Sequence, residues 1–350
     1  MTLPLRPSPG SPAERGYRWP AEWEPQSRLW LSWPHNRRTW PGRFEGIPEI
    51  MARYVREVAQ FQPVDILAGG DDVMREATDA VGGLANVTLH DILTNDAWCR
   101  DHGPTFLAGS SSLPPALVDW GYNAWGGKYP PYDLDDAVPQ RIAEGMGRIA
   151  FTPGVILEGG AIDGNGRGTI LTTESCLLNP NRNGPIGKSR LEQLLADFVG
   201  ARLVIWLTGG DLAGDDTDGH VDQLARFVDP CTVVVAHEPD PADINHQPLA
   251  RNLKQLRNLT NETGTPLRVV TLEMPRPVLV DGQRLPASYC NFQIGNRFVI
   301  VPQFDDPNDA PAITTLRDCF PDRRVIGLPA RDLVWGLGAY HCLSQQEAVI

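Results

Sequence analysis

Short apolar, β-branched runs alternate with amphipathic helical patterns from one end of this chain to the other. Runs at Leu29 to Trp33, Val64 to Ala68, Val87 to Ile92, Val155 to Glu158, Thr169 to Thr173, Leu203 to Leu207, Thr232 to Ala236, Leu267 to Leu272, Phe298 to Val301 and Arg324 to Leu328 predict strands. Helical periodicity falls between them, at Pro48 to Gln60, Asp71 to Val81, Asp135 to Met146, Ser189 to Val199, Pro241 to Thr263 and Asp309 to Cys319. Such alternation demands an α/β fold. A helix every roughly fifty residues suits several similar β/α units closed around an axis. Glycine and proline are dense everywhere and no stretch stands out as a linker, so the expected organisation is a flexible segment over 1–14 followed by a single domain over 15–350.

Bulk charge narrows the partners. Forty-three acidic against 31 basic residues give a net charge of −12, which argues against nucleic acid and anionic membranes and favours a small cation. The six cysteines form no C-x-x-C pair and no zinc-type spacing, so neither a disulfide scaffold nor a zinc site is indicated. The N-terminus lacks the pattern of a secretion signal and no apolar run approaches a membrane span. A reduced, cytoplasmic protein is the expectation. Oligomeric state is not readable, a homodimer being one option left open.

Four segments hold side chains suited to chemistry. Residues 215 to 222 read Asp-Asp-Thr-Asp-Gly-His-Val-Asp, and an extended backbone there would set Asp216, Asp218, His220 and Asp222 on one face. Crowded carboxylates oppose folding unless a cation enters, either a substrate or a divalent ion. Gly336 to Leu343 ends a mostly apolar run on Cys342, whose thiolate form is a strong nucleophile. An inert core cysteine is the alternative, although the polar sequel Ser344-Gln345-Gln346 predicts incomplete burial. His341 faces away from Cys342 if the segment is a strand, which leaves His220 the better base. In Asn95 to Pro104, Trp98 beside Asp101 suits a planar cation, against the alternative of a capped turn. Glu158, at a strand end before Gly159-Gly160, is either solvated or buried and paired, in which case it would support a protonated imidazole.

The segments Asn-Asp-x-Trp-x-Arg-Asp-x-Gly-Pro at 95–104, Asp-Trp-Gly-Tyr-Asn-Ala-Trp-Gly-Gly-Lys-Tyr at 119–129, Leu-Glu-Gly-Gly-Ala-Ile-Asp at 157–163, Thr-Asp-Gly-His-Val-Asp at 217–222 and His-Cys-x-x-Gln-Gln at 341–346 together resemble the agmatine deiminase and bacterial, Porphyromonas-type peptidyl-arginine deiminase family. Leu178 to Asn183 and Ala287 to Phe292 match it too. The resemblance implies the pentein fold, a five-bladed α/β propeller of pseudo-fivefold ββαβ units. It also implies a hydrolase acting on a small cationic guanidino substrate without metal or organic cofactor. Carried over by residue, Cys342 is the implied nucleophile, His220 the general acid and base, Glu158 its supporting carboxylate, and Asp101 and Asp222 the guanidinium grip. Trp98 would line the pocket, and Asp216 would receive the terminal amine of agmatine. Before the nucleophile the chain departs from the common Gly-Gly-Gly-Asn-Ile-His-Cys, having Leu337, Ala339 and Tyr340, which leaves arginine and peptidyl-arginine open as substrates. An amidinotransferase of the same fold would use the same nucleophile, and a non-catalytic polyamine or divalent-cation binder would use the carboxylates alone.

Overall fold

Apolar residues at 47, 51, 54, 55 and 58 give the helix Ile47–Val58 one buried stripe, which packs with Leu29, Val64 and Ile66 in a common core. That helix connects two parallel strands, Gln26–Ser32 and Val64–Leu67. The same unit recurs around the molecule in the computed structural model, which describes residues 4–210 and 212–349.

Five sheets carry one topology, an inner strand antiparallel to a middle strand, and a helix leading from the middle strand to a parallel outer one. In chain order the inner, middle and outer strands are Thr105–Leu107, Ala116–Val118 and Ile149–Phe151; Ile162–Gly164, Thr169–Thr173 and Leu203–Leu207; Ala225–Asp229, Thr232–His237 and Arg268–Glu273; and Gln293–Gly295, Phe298–Gln303 and Arg324–Pro329. The remaining sheet takes its inner strand, Ser344–Ala348, from the far end of the sequence and pairs it with Gln26–Ser32; Val64–Leu67 and a fourth strand, Val87–His90, complete it. Neighbouring inner strands touch, Ser344–Ala348 against Thr105–Leu107 and Ile162–Gly164 against Ala225–Asp229. The result is the five-bladed α/β propeller of ββαβ units.

Several expected elements differ in extent. Val155 to Glu158 forms no strand, only a single bridge between Gly121 and Ile156. The helix expected over 135–146 is two pieces, Asp133–Asp136 and Val138–Met146, with Pro139 opening the second where its missing N–H costs nothing. The helix expected over 241–263 contracts to His246–Leu256. Of the N-terminal segment, residues 1–3 lie outside the described residues; further on, Leu5 N donates to Arg202 O at 3.0 Å and Ser8 N to Asp197 Oδ1 at 2.6 Å. Among the described residues no helix is long and apolar enough to cross a membrane.

Candidate active site

Each inner strand is entered through a tight turn or short helix, and these five entries converge. Asp101 lies just ahead of Thr105, Gly160 ahead of Ile162, Asp222 ahead of Ala225, Asn291 ahead of Gln293 and Cys342 ahead of Ser344. One repeated position in the fold therefore delivers the site's polar groups to one place.

Gly160 marks the centre. A Cβ placed there would stand 2.6 Å from His220 Nδ1, 2.7 Å from Asp101 Oδ1 and 3.2 Å from Asp222 Oδ2, so three segments meet over a residue that can have no side chain. Asp101 accepts from Gly160 N at 3.0 Å and from Trp125 Nε1 at 3.0 Å, and its Oδ1 is 3.5 Å from His220 Nδ1. Oδ2 of Asp222 accepts from His341 Nδ1 at 2.8 Å and Asn291 Nδ2 at 3.1 Å, and faces Cys342 Sγ at 3.4 Å. Its Oδ1 is buried with no partner. A lone buried acceptor beside a thiol leaves a hydrogen-bonding capacity that the protein itself does not fill.

Electrostatics follow from crowding. Burial pushes the Cys342 thiol well above its ordinary range, helped by the charges of Asp222 and Asp101, while N–H groups of Ala339 and Asn291 pull the other way. Burial opposes charge on His220, yet Asp101 first, then Cys176 and Glu158, outweigh it and hold the ring protonated well above pH 6.5. Burial raises Asp101, offset in part by His220. For Asp222, the hydrogen bond and charge of His341 overcome burial and keep it ionised below the usual carboxylate range.

Cys342, Asp101, Trp98, Trp125 and Asp216 line one cavity of about 940 Å³. His220, Glu158 and Asp222 do not line it; His220 approaches it through Asp101 and Asp222 through Cys342. Glu158 is fully buried, its Oε1 2.6 Å from Arg182 Nε, and it shares a space with His220 and Cys176 in which one ligand-type atom of each lies within 4.8 Å of the others. Arg182 is the cation that Glu158 needs in order to be buried.

Two local expectations are corrected. The 215–222 segment is a turn, with Asp218 at φ 66° and Gly219 at φ 97°, so its four side chains do not share a strand face. Asp216 goes to the cavity, hydrogen-bonded by Tyr129; Asp218 ion-pairs with Arg182 and with Lys128 at 2.9 Å; His220 and Asp222 turn inward. Cys342 is buried at 6 % exposure, and its polar sequel is buried as well, because Gln345 Oε1 and Gln346 Oε1 receive Arg100 Nη1 at 2.7 and 2.8 Å. The glycines before it admit an indole: a Cβ on Gly338 would be 2.5 Å from Trp98, and one on Gly336 2.6 Å from Trp40. Trp98 packs against Trp40 at a tilt of 37°, with ring centres 5.5 Å apart.

Sequence reasoning gave no role to Trp125 or Asn291, which lie inside the quoted motifs, and set His341 aside as a base. Trp125 sits at φ 55°, an unusual conformation for a bulky residue, and aims its N–H at Asp101. His341 is buried between two carboxylates, Asp222 at 2.8 Å and Glu22 at 3.2 Å, and Glu22 in turn contacts Arg226. An asparagine inside the aromatic run Tyr289-Cys290-Asn291-Phe292 was the available signal, since a polar side chain there must find partners.

Residues 18–348 match the model of the Porphyromonas-type peptidyl-arginine deiminase family. An agmatine deiminase of Pseudomonas aeruginosa is 35 % identical over 360 residues, covering 96 % of this chain and 97 % of that one. The solved structure of an agmatine deiminase of Enterococcus faecalis superposes with a TM-score of 0.90 at 31 % identity, covering 98 % of this chain and 99 % of that one. That of a Campylobacter jejuni agmatine deiminase, solved with substrate bound, gives 0.87 at 32 % identity, with 95 % and 96 % covered. Fold and site together define a pentein-class enzyme. Within that class the chain belongs to the Porphyromonas-type peptidyl-arginine deiminase family.

Proposed function

We propose that this protein hydrolyses the guanidino group of agmatine, giving N-carbamoylputrescine and ammonia. The observation behind it is the pairing of an unpartnered Asp222 Oδ1 with Cys342 Sγ, 3.4 Å from the same carboxylate, beside a cavity that Asp101 also lines. Guanidinium is a poor electrophile, and two carboxylates would hold its N–H groups and fix the central carbon in line with sulfur. Arrival of the substrate's positive charge offsets the anionic field that keeps Cys342 protonated, and the thiol releases its proton to solvent.

Sulfur then adds to the guanidinium carbon. The His220 imidazolium gives its proton to the departing nitrogen, the C–N bond breaks, and ammonia leaves behind a covalent amidino-thioether. Neutral His220 takes a proton from water, hydroxide adds to the same carbon, and the C–S bond breaks to return the thiolate and the ureido product. In this reading Glu158 and Asp101 keep His220 in the protonated form that the first half requires.

Agmatine is favoured by Asp216, an anion on the cavity wall suited to a terminal amine. Arginine is the second reading, because Arg37 and Arg38 also line the cavity and one of them could take a carboxylate, although Arg37 already pairs with Glu45. Ammonia and ureido product should be measured with agmatine and arginine side by side, in the parent and in Cys342→Ala. Faster turnover of agmatine, and none in the variant, is expected. Parent-rate turnover in Cys342→Ala would remove the nucleophile, and a preference for arginine would remove the substrate assignment.

A further inference from the structure

Sulfur in this site has two polar side-chain neighbours of opposite character. Asp222 Oδ2 at 3.4 Å disfavours a thiolate, whereas Nδ2 of Asn291 at 3.0 Å can donate to one. The orientation of that amide is fixed by its other end, since Oδ1 of Asn291 accepts from the backbone N–H of Ala339 at 3.1 Å and of Cys342 at 3.3 Å. Exchanging the ends would set an NH2 group against two N–H donors. The backbone carbonyl of Asn291 also accepts from His341 N at 3.3 Å. Asn291 has no exposure at all, so water cannot replace any of these bonds.

We infer that Asn291 is a catalytic residue of this site: its amide donates a hydrogen bond to the Cys342 sulfur as thiolate forms, while its carbonyl clamps the turn that carries the nucleophile. The second Nδ2 proton reaches Asp222 Oδ2 at 3.1 Å, which keeps that oxygen occupied and leaves Oδ1 for an incoming cation. Asn291 thereby sets the distance between the nucleophile and one arm of the substrate grip. The inference takes Cys342 as nucleophile from the proposed function, but it does not depend on which guanidino compound is the substrate.

The test is alkylation of Cys342 by iodoacetamide, an uncharged reagent, at pH 8, followed by peptide mass so that the other cysteines do not contribute. A hydrogen bond to a charged sulfur is worth about 1.5–3 kcal/mol, so Asn291→Ala should be alkylated about 10- to 100-fold more slowly, with kcat falling in step. Asn291→Asp keeps the shape and the backbone acceptor but sets a second carboxylate against sulfur; its folded fraction should react more slowly still, whatever the fall in melting point. A purely structural role predicts the reverse, a lowered melting point with folded protein alkylated at the parent rate, and that result in either variant overturns the inference. If Asn291→Ala does not fold, Asn291→Asp decides alone. Parent protein that is alkylated normally but inert toward agmatine would sink the substrate assignment and leave Asn291 standing.

Discussion

The space above Gly160 is where three side chains of the site constrain a single residue together. His220, Asp101 and Asp222 all approach within 3.2 Å of where a Cβ would be, and all three are buried. Gly160→Ala should therefore displace the imidazole or a carboxylate, and a shift of about 1 Å in such a group can cost about 100-fold in rate. Steady-state kcat together with a thermal melt would check it, with a large loss of kcat expected even in folded protein. Parent-like kcat would mean that the three groups are not held as closely as these distances require. At Glu158 the same economy operates through charge, because Arg182 neutralises it at 2.6 Å and also contacts Asp218 in the turn leading to His220.

Among the elements, the short helix Cys99–His102 does most to place the site, and a buried ion pair holds it. His102 Nε2 meets Ser32 Oγ at 2.8 Å, and its Nδ1 is 3.4 Å from Asp135, whose Oδ1 receives Asn95 N at 2.7 Å; Tyr122 packs edge-on to the ring. Burial opposes charge on His102, but Asp135 and Cys99 overcome it and push the pKa up to about 10. A folded-state pKa raised above the unfolded value of roughly 6.5 contributes stability that is complete below about pH 6.5 and is lost as pH rises through 10. The difference in unfolding free energy between the parent and His102→Gln should thus be largest near pH 6 and shrink toward pH 10, as urea titrations at each pH would reveal. A constant difference would show that His102 is not the titrating group.

Legibility divided along the same lines as the elements. Middle and outer strands such as Thr169–Thr173 and Leu203–Leu207, and helices such as Asp71–Val81 and Asp309–Cys319, stand as expected, because each presents an apolar face to a core. Inner strands were invisible. They are three to five residues long, and three of them read Ile-Asp-Gly, Gln-Ile-Gly and Ser-Gln-Gln-Glu-Ala, buried yet too short or too polar to show an apolar alternation. Of the residues to which the sequence motifs point, Cys342, His220, Asp101, Asp222 and Glu158 are gathered at their entrances, whereas Asn291, His341 and Trp125 lie within the motifs but acquire a role only through their contacts.

At the scale of the whole molecule, the ring of blades is closed by one strand. Ser344–Ala348 joins the first blade through Leu29↔Gln346 and Leu31↔Ser344, and Glu347 ties two blades together by accepting from Trp30 Nε1 at 2.8 Å and ion-pairing with Arg148. Glu347→Ala would leave the mostly buried Arg148 guanidinium without its partner. Removal of one member of a buried pair costs about 3–5 kcal/mol, which a urea unfolding midpoint would register as a marked fall. A change within about 0.5 kcal/mol, the range of ordinary surface substitutions, would show that closure does not run through this pair.

Because the closing strand begins just past Cys342, ribosomal synthesis delivers the sulfur after every other group of the site has already left the tunnel or entered it. The strand that seals the ring is thus also the one that carries the sulfur to its place beside Asp222 and Asn291.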